Sequence, residues 1–320
     1  MIDGVIAYQH GIFPRSEDVV AATRGLERGR VAQQAVDARF EADLDLFVQT
    51  QREARLDYFS DGMLRWQDVF RPFVEACSGL QARGLVRWFD NNSFFRAPEV
   101  IGALRPDVGF ASVASPLGVP EPRVACLPSP YLFSRAADAP GNRNTLMLEV
   151  AKYVLRPAIE ELVKRGCRLV HLQEPWLAYF GIERGDWDEF ERALHELREA
   201  APADLVTIVL HTYFGDVAPY AARLRGMPVD AVGIDLVETD PSALRGPWES
   251  GLLLGLLDGR SSVVEPAEES ARLIRSIAEA LEPSALYLSS NCELEFLPTE
   301  VARRKVLRLG EIAGRVREAS

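Results

Sequence analysis

Short apolar runs alternate along the chain with longer stretches whose apolar residues recur every three or four positions, the pattern of repeated strand–helix units. Eight runs predict strands, at 5–8, 57–60, 123–127, 168–172, 205–210, 231–236, 251–256 and 285–289. Between them, VAQQAVDARFEADLDLFVQTQREA, LMLEVAKYVLRPAIEELVKRG, DWDEFERALHELREAA and EESARLIRSIAEALE carry helical spacing. The last follows Pro266 and has Glu268 and Glu269 in its first turn, where carboxylates complement the helix dipole. Alternation of this kind predicts an α/β fold, a single (β/α)8 TIM barrel over residues 1–320. An open doubly wound sheet would carry a glycine-rich phosphate turn after its first strand, and HGIFPRS is not one. Residues 88–124, with NNSFFRAP and SPLGVPEPR, read as an insertion or hairpin over one end of the barrel. No linker or internal repeat divides the chain.

Composition narrows the partners. The 320 residues include 48% hydrophobic and 26% charged positions, as in ordinary globular enzymes. No apolar run reaches a membrane span, and the N-terminus lacks a basic region followed by an apolar core, so a cytoplasmic protein with no membrane partner is expected. Cys77, Cys126, Cys167 and Cys292 form no CxxC pair, which argues against a disulfide framework or a zinc ribbon. A net charge of −11 disfavours nucleic acid and leaves a small-molecule substrate as the expected partner, with the oligomeric state open.

In barrel enzymes the chemistry sits on loops after the strands. Those positions hold His10, Asp61, Met63, Ser129, Gln173, Glu174, Trp176, His211, Tyr213, Asp235, Glu238, Asp258, Arg260, Asn291 and Cys292. Among them His211, Asp235 and Cys292 offer imidazole, carboxylate and thiolate, a donor set suited to a borderline-soft cation, with Zn2+ the first expectation. Asp61 and Asp216 fit turn and cap roles and are set aside.

The order of QEPW, HTYFGD, GIDLVETD, LLDGRSSVVEPAEE and LSSNCELEFLP after the last five strands, with HGIFPRS, FRAPEVIG and LPSP earlier, resembles the cobalamin-independent methionine synthase family. The likeness is to its catalytic C-terminal barrel and short single-barrel relatives, and it spans nearly the whole chain. It implies a zinc-dependent methyltransferase in which zinc, held by His, Cys, Glu and Cys, activates a thiol. Carried over, His211 and Cys292 match, Asp235 stands for the Glu, and Tyr213 stands for the first Cys, which implies an altered zinc site. Glu238 is a spare carboxylate.

The family's contacts to the amino-acid part of homocysteine fall on Ile12, Met63 and Gln173, which have lost charge or hydroxyl. An ammonium left there without carboxylates would cost several kcal/mol. The resemblance therefore implies methyl or alkyl transfer to or from a thiol other than free homocysteine. The family's acid His falls on Arg260, which cannot shuttle a proton near neutral pH and would bind or stabilise an anion. Ile12, Met63, Trp66, Gln173 and Trp176 then predict a substrate pocket for an apolar or aromatic molecule with one anionic group, with Glu174, Tyr213 and Arg260 as catalytic candidates. Two alternatives stay open: a lyase or hydrolase of specialised metabolism on the same scaffold with altered or no metal, and a non-catalytic binding protein.

Overall fold

The computed structural model describes residues 4–113 and 118–318. Its strands are β1 (Val5–Ala7), β2 (Cys77–Arg87), β3 (Phe94–Pro106), β4 (Arg123–Pro128), β5 (Cys167–Gln173), β6 (Thr207–Thr212), β7 (Ala231–Asp235), β8 (Gly251–Leu257) and β9 (Leu286–Ser290). Seven form one curled parallel sheet in the order β1-β9-β8-β7-β6-β5-β4. Both β7 and β9 are buried along their whole length. Helices covering one face and packed side chains the other explain why these strands read as continuous apolar runs. Seven expected strands thus fall where the pattern puts them, within about two residues.

The eighth does not form as expected. Residues 57–60 make a single bridge, Phe59 to Arg123, rather than a ladder. They still lie between the sheet's two outer strands: Asp57 N–H donates to Ala7 O (2.8 Å), Phe59 N–H to Pro122 O (2.9 Å), and Val124 N–H to Phe59 O (3.0 Å). The physical reason is Asp57, whose carboxylate takes the Ala7 N–H at 2.7 Å and pairs with Arg317. A side chain accepts the donor that a strand's carbonyl would have accepted.

The insertion is an antiparallel hairpin of β2 and β3, with Leu80 opposite Val100 and Arg87 opposite Phe94. It begins at Cys77, eleven residues before the expected boundary at 88, and its second arm ends at Pro106. The expected 88–124 segment catches only the tip and second arm; its residues 114–117 lie outside the described ones. Beyond Leu80 the first arm is largely exposed, so neither an apolar run nor a clean alternation marked it.

The expected helices appear as Gln33–Glu53, Arg143–Lys164, Trp187–Ala200 and Ala267–Leu281. Arg143–Lys164 widens into a π turn over Ala151–Leu155 just before Pro157, whose missing N–H disrupts the regular ladder. Ala267–Leu281 buries Ala271, Ile274, Ala278 and Leu281, one stripe at helical spacing. A closing helix, Thr299–Glu318, passes so close to the first layer that a Cβ on Gly310 would meet Ala54 O. No helix among the described residues is long and apolar enough to cross a membrane.

Candidate functional site

Three histidines meet inside the sheet. His10 follows β1, His171 lies within β5 two residues before its end, and His211 lies near the end of β6. The rings of His10 and His171 stack with centroids 4.1 Å apart and planes 12° apart; His211 stands edge-on to them at 4.8 and 5.2 Å. One ligand atom from each lies within 4.8 Å of the other two. Space for the His211 ring comes from Gly233 and Gly255: a Cβ on the first would fall 2.5 Å from Cδ2, and on the second 3.1 Å from Nε2.

All three imidazoles are fully buried. Burial lowers their pKa, to about 4 for His10, and neighbouring histidines lower those of His171 and His211 further. The rings are neutral near pH 7, with lone pairs available. His10 Nε2 faces Ser290 O at 3.1 Å, and His171 Nδ1 faces the Tyr8 hydroxyl at 2.9 Å. His10 Nδ1, His171 Nε2 and both His211 nitrogens have no hydrogen-bond partner.

The expected zinc donors behave differently from one another. Asp235 is saturated: Oδ1 accepts from Val237 N–H (2.9 Å), Glu238 N–H (3.3 Å) and the Asn291 amide (3.1 Å), and Oδ2 from Phe214 N–H (3.1 Å). Cys292 is fully buried, and burial, then Glu293 and Asp235, pushes its thiol well above the usual range. Tyr213 is a neutral phenol, raised by burial and by Glu293 and Cys292, and its hydroxyl accepts from Gln173 Nε2 at 3.2 Å. Among the described residues, the only set of three such donors mutually within 4.8 Å is the histidine one. His211 is thereby brought together with His10 and His171.

Glu174 holds two helix starts. Its Oε2 accepts from the Ser129 hydroxyl and from Leu132 N–H (3.0 Å), and its Oε1 from Leu177 N–H (2.8 Å). Burial raises its carboxyl to about 7. Arg260 pairs with Asp90 at 3.2 Å and with Glu238, and its guanidinium lies 5.1 Å from the Phe214 ring centre. Its charge is already matched by two carboxylates. Asp61 and Asp216 accept the backbone N–H groups of Met63 and Ala218, the turn role expected of them.

Over this end of the sheet lies the hairpin tip. Trp88 Nε1 donates to Glu293 Oε1 at 2.6 Å, Asp90 meets Arg260, and Phe89 packs among Trp176, Tyr179, Phe180 and Phe214. Under the tip is a cavity of about 20 Å3 bordered by Ile12, Gln173, Asp68, Trp88, Glu293 and Glu295. That is room for roughly one water. Trp176 instead borders a cavity of about 720 Å3 with Tyr131, Arg135, Arg143, Phe180 and Tyr220. Met63 and Trp66 border neither; Met63 is buried, and Trp66 packs edge-on against Phe73 and Phe110. The expected substrate residues are therefore divided among three places.

Residue types alone missed His171, Trp88, Glu293 and Glu295. His171 was accessible by parity, since residues 171 and 173 of one strand share a face. Glu293 directly follows Cys292, and its carboxyl, buried and beside Glu295, is raised to about 7.

The fold is TIM-barrel-like, and the family relatives make this an enzyme of the methyltransferase class. Residues 76–282 match the family model for "Cobalamin-independent synthase, N-terminal domain", and the chain belongs to the cobalamin-independent methionine synthase-like family. The matching model describes the N-terminal domain, whereas the motif order reads as the catalytic C-terminal barrel. The methionine synthase of Sulfolobus acidocaldarius is 24% identical over 93% of this chain and 88% of its own. A B12-independent methionine synthase from a Shewanella species, in complex with selenomethionine, superposes with a TM-score of 0.75 at 19% identity, over 98% of both chains. A putative one from Listeria monocytogenes gives 0.74 at 18%, over 98% of both.

Proposed function

We propose that this protein transfers a methyl or alkyl group to or from a thiol other than free homocysteine, at the end of the sheet covered by the hairpin tip. In the same reading, residues 57–60 close the sheet into a single (β/α)8 barrel over the whole chain. The observation that carries the substrate assignment is the change at the family's amino-acid contacts, where Ile12 and Gln173 now stand; the cavity they border holds about one water, so a substrate enters only when the hairpin tip moves off it. Glu293, Glu295 and Asp68 border the same cavity, so a thiol that brings a hydrogen-bond donor or a cation fits its charge, and homocysteine, itself carrying an ammonium, is the comparison that decides the assignment.

Glu293 is the proposed base. Its Oε2 is buried and unpartnered, and a carboxyl raised to about 7 holds or releases a proton near neutral pH. It takes the thiol proton, while Trp88 and Tyr213 orient it and the hairpin tip excludes water. Glu174 positions two helices, and Arg260 clamps the tip. A zinc ion, when bound, would lower a thiol pKa from its free value of about 8.5. Of the donors carried over from the resemblance, His211 has free ring nitrogens; Asp235 would have to give up backbone partners and Cys292 its proton.

The test is a panel of thiols incubated with methyl donors, with methylated products read by mass spectrometry. A thiol preferred over homocysteine, with kcat lowered by Glu293→Gln, supports the reading. Homocysteine used as well as the best thiol would remove the substrate assignment, and turnover of a substrate without any thiol would remove the reaction class.

A further inference from the structure

We propose that His10, His171 and His211 form a three-nitrogen seat for a divalent transition-metal cation, one side-chain layer inside the mouth and built without thiolate or carboxylate. The inference does not depend on the methyl-transfer reading.

Hydrogen bonding assigns the lone pair of His10 and permits the matching one on His171. Ser290 O can only accept, so His10 Nε2, 3.1 Å away, carries the ring proton and Nδ1 is left bare. The Tyr8 hydroxyl lies 2.9 Å from His171 Nδ1 and can accept from it as well as donate to it; in the tautomer in which it accepts, Nε2 of that ring is bare in the same way, which is the form a metal ligand requires. Neither nitrogen of His211 has a partner. An unmet buried polar atom costs about 1–3 kcal/mol, and here four ring nitrogens on three adjoining residues go unmet. They cannot satisfy one another across the stack, because an imidazole N–H and lone pair point in the ring plane while His10 and His171 lie face to face.

One cation would satisfy a nitrogen on each ring. Imidazole donors suit Zn2+, Ni2+, Cu2+ or Co2+ and not the oxygen-seeking Mg2+ or Ca2+. The outer contacts are those of a ligating histidine, with the far nitrogen of His10 held by a carbonyl and that of His171 by a hydroxyl. Buried and unpartnered Gln9 Oε1 and Gln173 Oε1 are further acceptors in the same interior. Two parallel rings cannot aim in-plane lone pairs at one point, so binding splays the stacked pair from its 12°. Gly233 and Gly255 leave the His211 ring its place between β7 and β8.

The test uses the full chain, stripped with a chelator and titrated with Co2+, with stoichiometry also read by elemental mass spectrometry after Zn2+ loading. One ion per chain is expected, with ligand-field absorption and no thiolate charge-transfer band. His10→Gln and His171→Gln should each weaken binding by at least about tenfold, and Tyr8→Phe by about 10–100-fold through the outer contact. Cys292→Ser and Asp235→Asn should leave it unchanged. Thermal unfolding without metal checks that each variant folds; if the histidine variants do not, Tyr8→Phe carries the decision.

Folded wild type that takes up no ion overturns the proposal. So does a charge-transfer band lost in Cys292→Ser while the variants at His10 and His171 bind as wild type does. Failure of the thiol panel with intact histidine binding would retire the methyl-transfer reading alone; thiol methylation by a protein whose histidines bind no ion would retire this site alone.

Discussion

The indole N–H of Trp88 donates to Oε1 of Glu293 at 2.6 Å, and this bond ties the tip of the β2–β3 hairpin to the chain just after β9. The two residues are 205 positions apart in sequence. Together with Arg260 and Asp90 they hold the tip over the acidic cavity. Access to the cavity therefore depends on these contacts.

Trp88→Phe keeps most of the packing and removes the donor. It should cost about 1–3 kcal/mol, the range for leaving a buried acceptor without its partner. Hydrogen exchange over residues 88–94 should accelerate while β5 to β9 keep their protection. Uniform acceleration across the sheet would show that the tip is part of the core and does not open independently.

Lys305 tests how the closing helix is fastened to the loop that carries Arg260. Its side chain is fully buried, and Nζ donates to Val263 O at 2.6 Å and to Glu265 Oε1 at 2.7 Å. This anchors the closing helix to the loop after β8. Lys305→Ala strands a part-buried carboxylate and leaves a cavity, so chemical denaturation should report a loss of about 3–5 kcal/mol. Lys305→Ala combined with Glu265→Ala should cost less than the sum of the two single changes.

The parallel strands were legible because burial on both faces makes each a plain apolar run, as in GLLLGLL of β8. The hairpin was not, because CSGLQARGLVR is a polar ribbon whose stability comes from its partner strand and whose contact with the site is confined to the tip. Asp57 was misread because its extended backbone is real while its ladder is replaced by a side-chain contact. His211 was visible as a polar residue ending an apolar run. His10 was visible in the same way after the first strand, whereas His171 lies inside an apolar run, and only the folded sheet brings His10 and His171 face to face. Residue type likewise does not reveal that backbone N–H groups occupy the oxygens of Asp235.

Gly233→Ala should disturb that histidine group directly. A Cβ there would sit 2.5 Å from Cδ2 and 2.7 Å from Cγ of His211, inside any allowed contact, and the ring is enclosed by strands that cannot move aside. Overpacking of this kind costs about 1–3 kcal/mol. Gly84→Ala, with nothing within 4 Å of the added atom, should stay within about 0.5 kcal/mol of wild type. Equal melting temperatures for the two variants would mean that the His211 ring has space to turn away.

Glu174 and His10 should give stability–pH slopes of opposite sign. Burial raises Glu174 from 4.5 to about 7, so between those values the folded state keeps a proton that the unfolded chain has released. Its contribution is full below about pH 4.5 and is lost as pH rises through about 7. Burial lowers His10 from 6.5 to about 4, so there the unfolded chain binds the proton first. That contribution is full above about pH 6.5 and is lost as pH falls through about 4. Relative to wild type, Glu174→Gln should therefore look progressively less damaging from about pH 5 to 8, by on the order of 2–3 kcal/mol. His10→Gln should look progressively less damaging from about pH 7 down to 4. Urea unfolding of both variants and wild type across that range measures the slopes; parallel curves for all three would mean that neither group has a folded-state pKa different from its unfolded one.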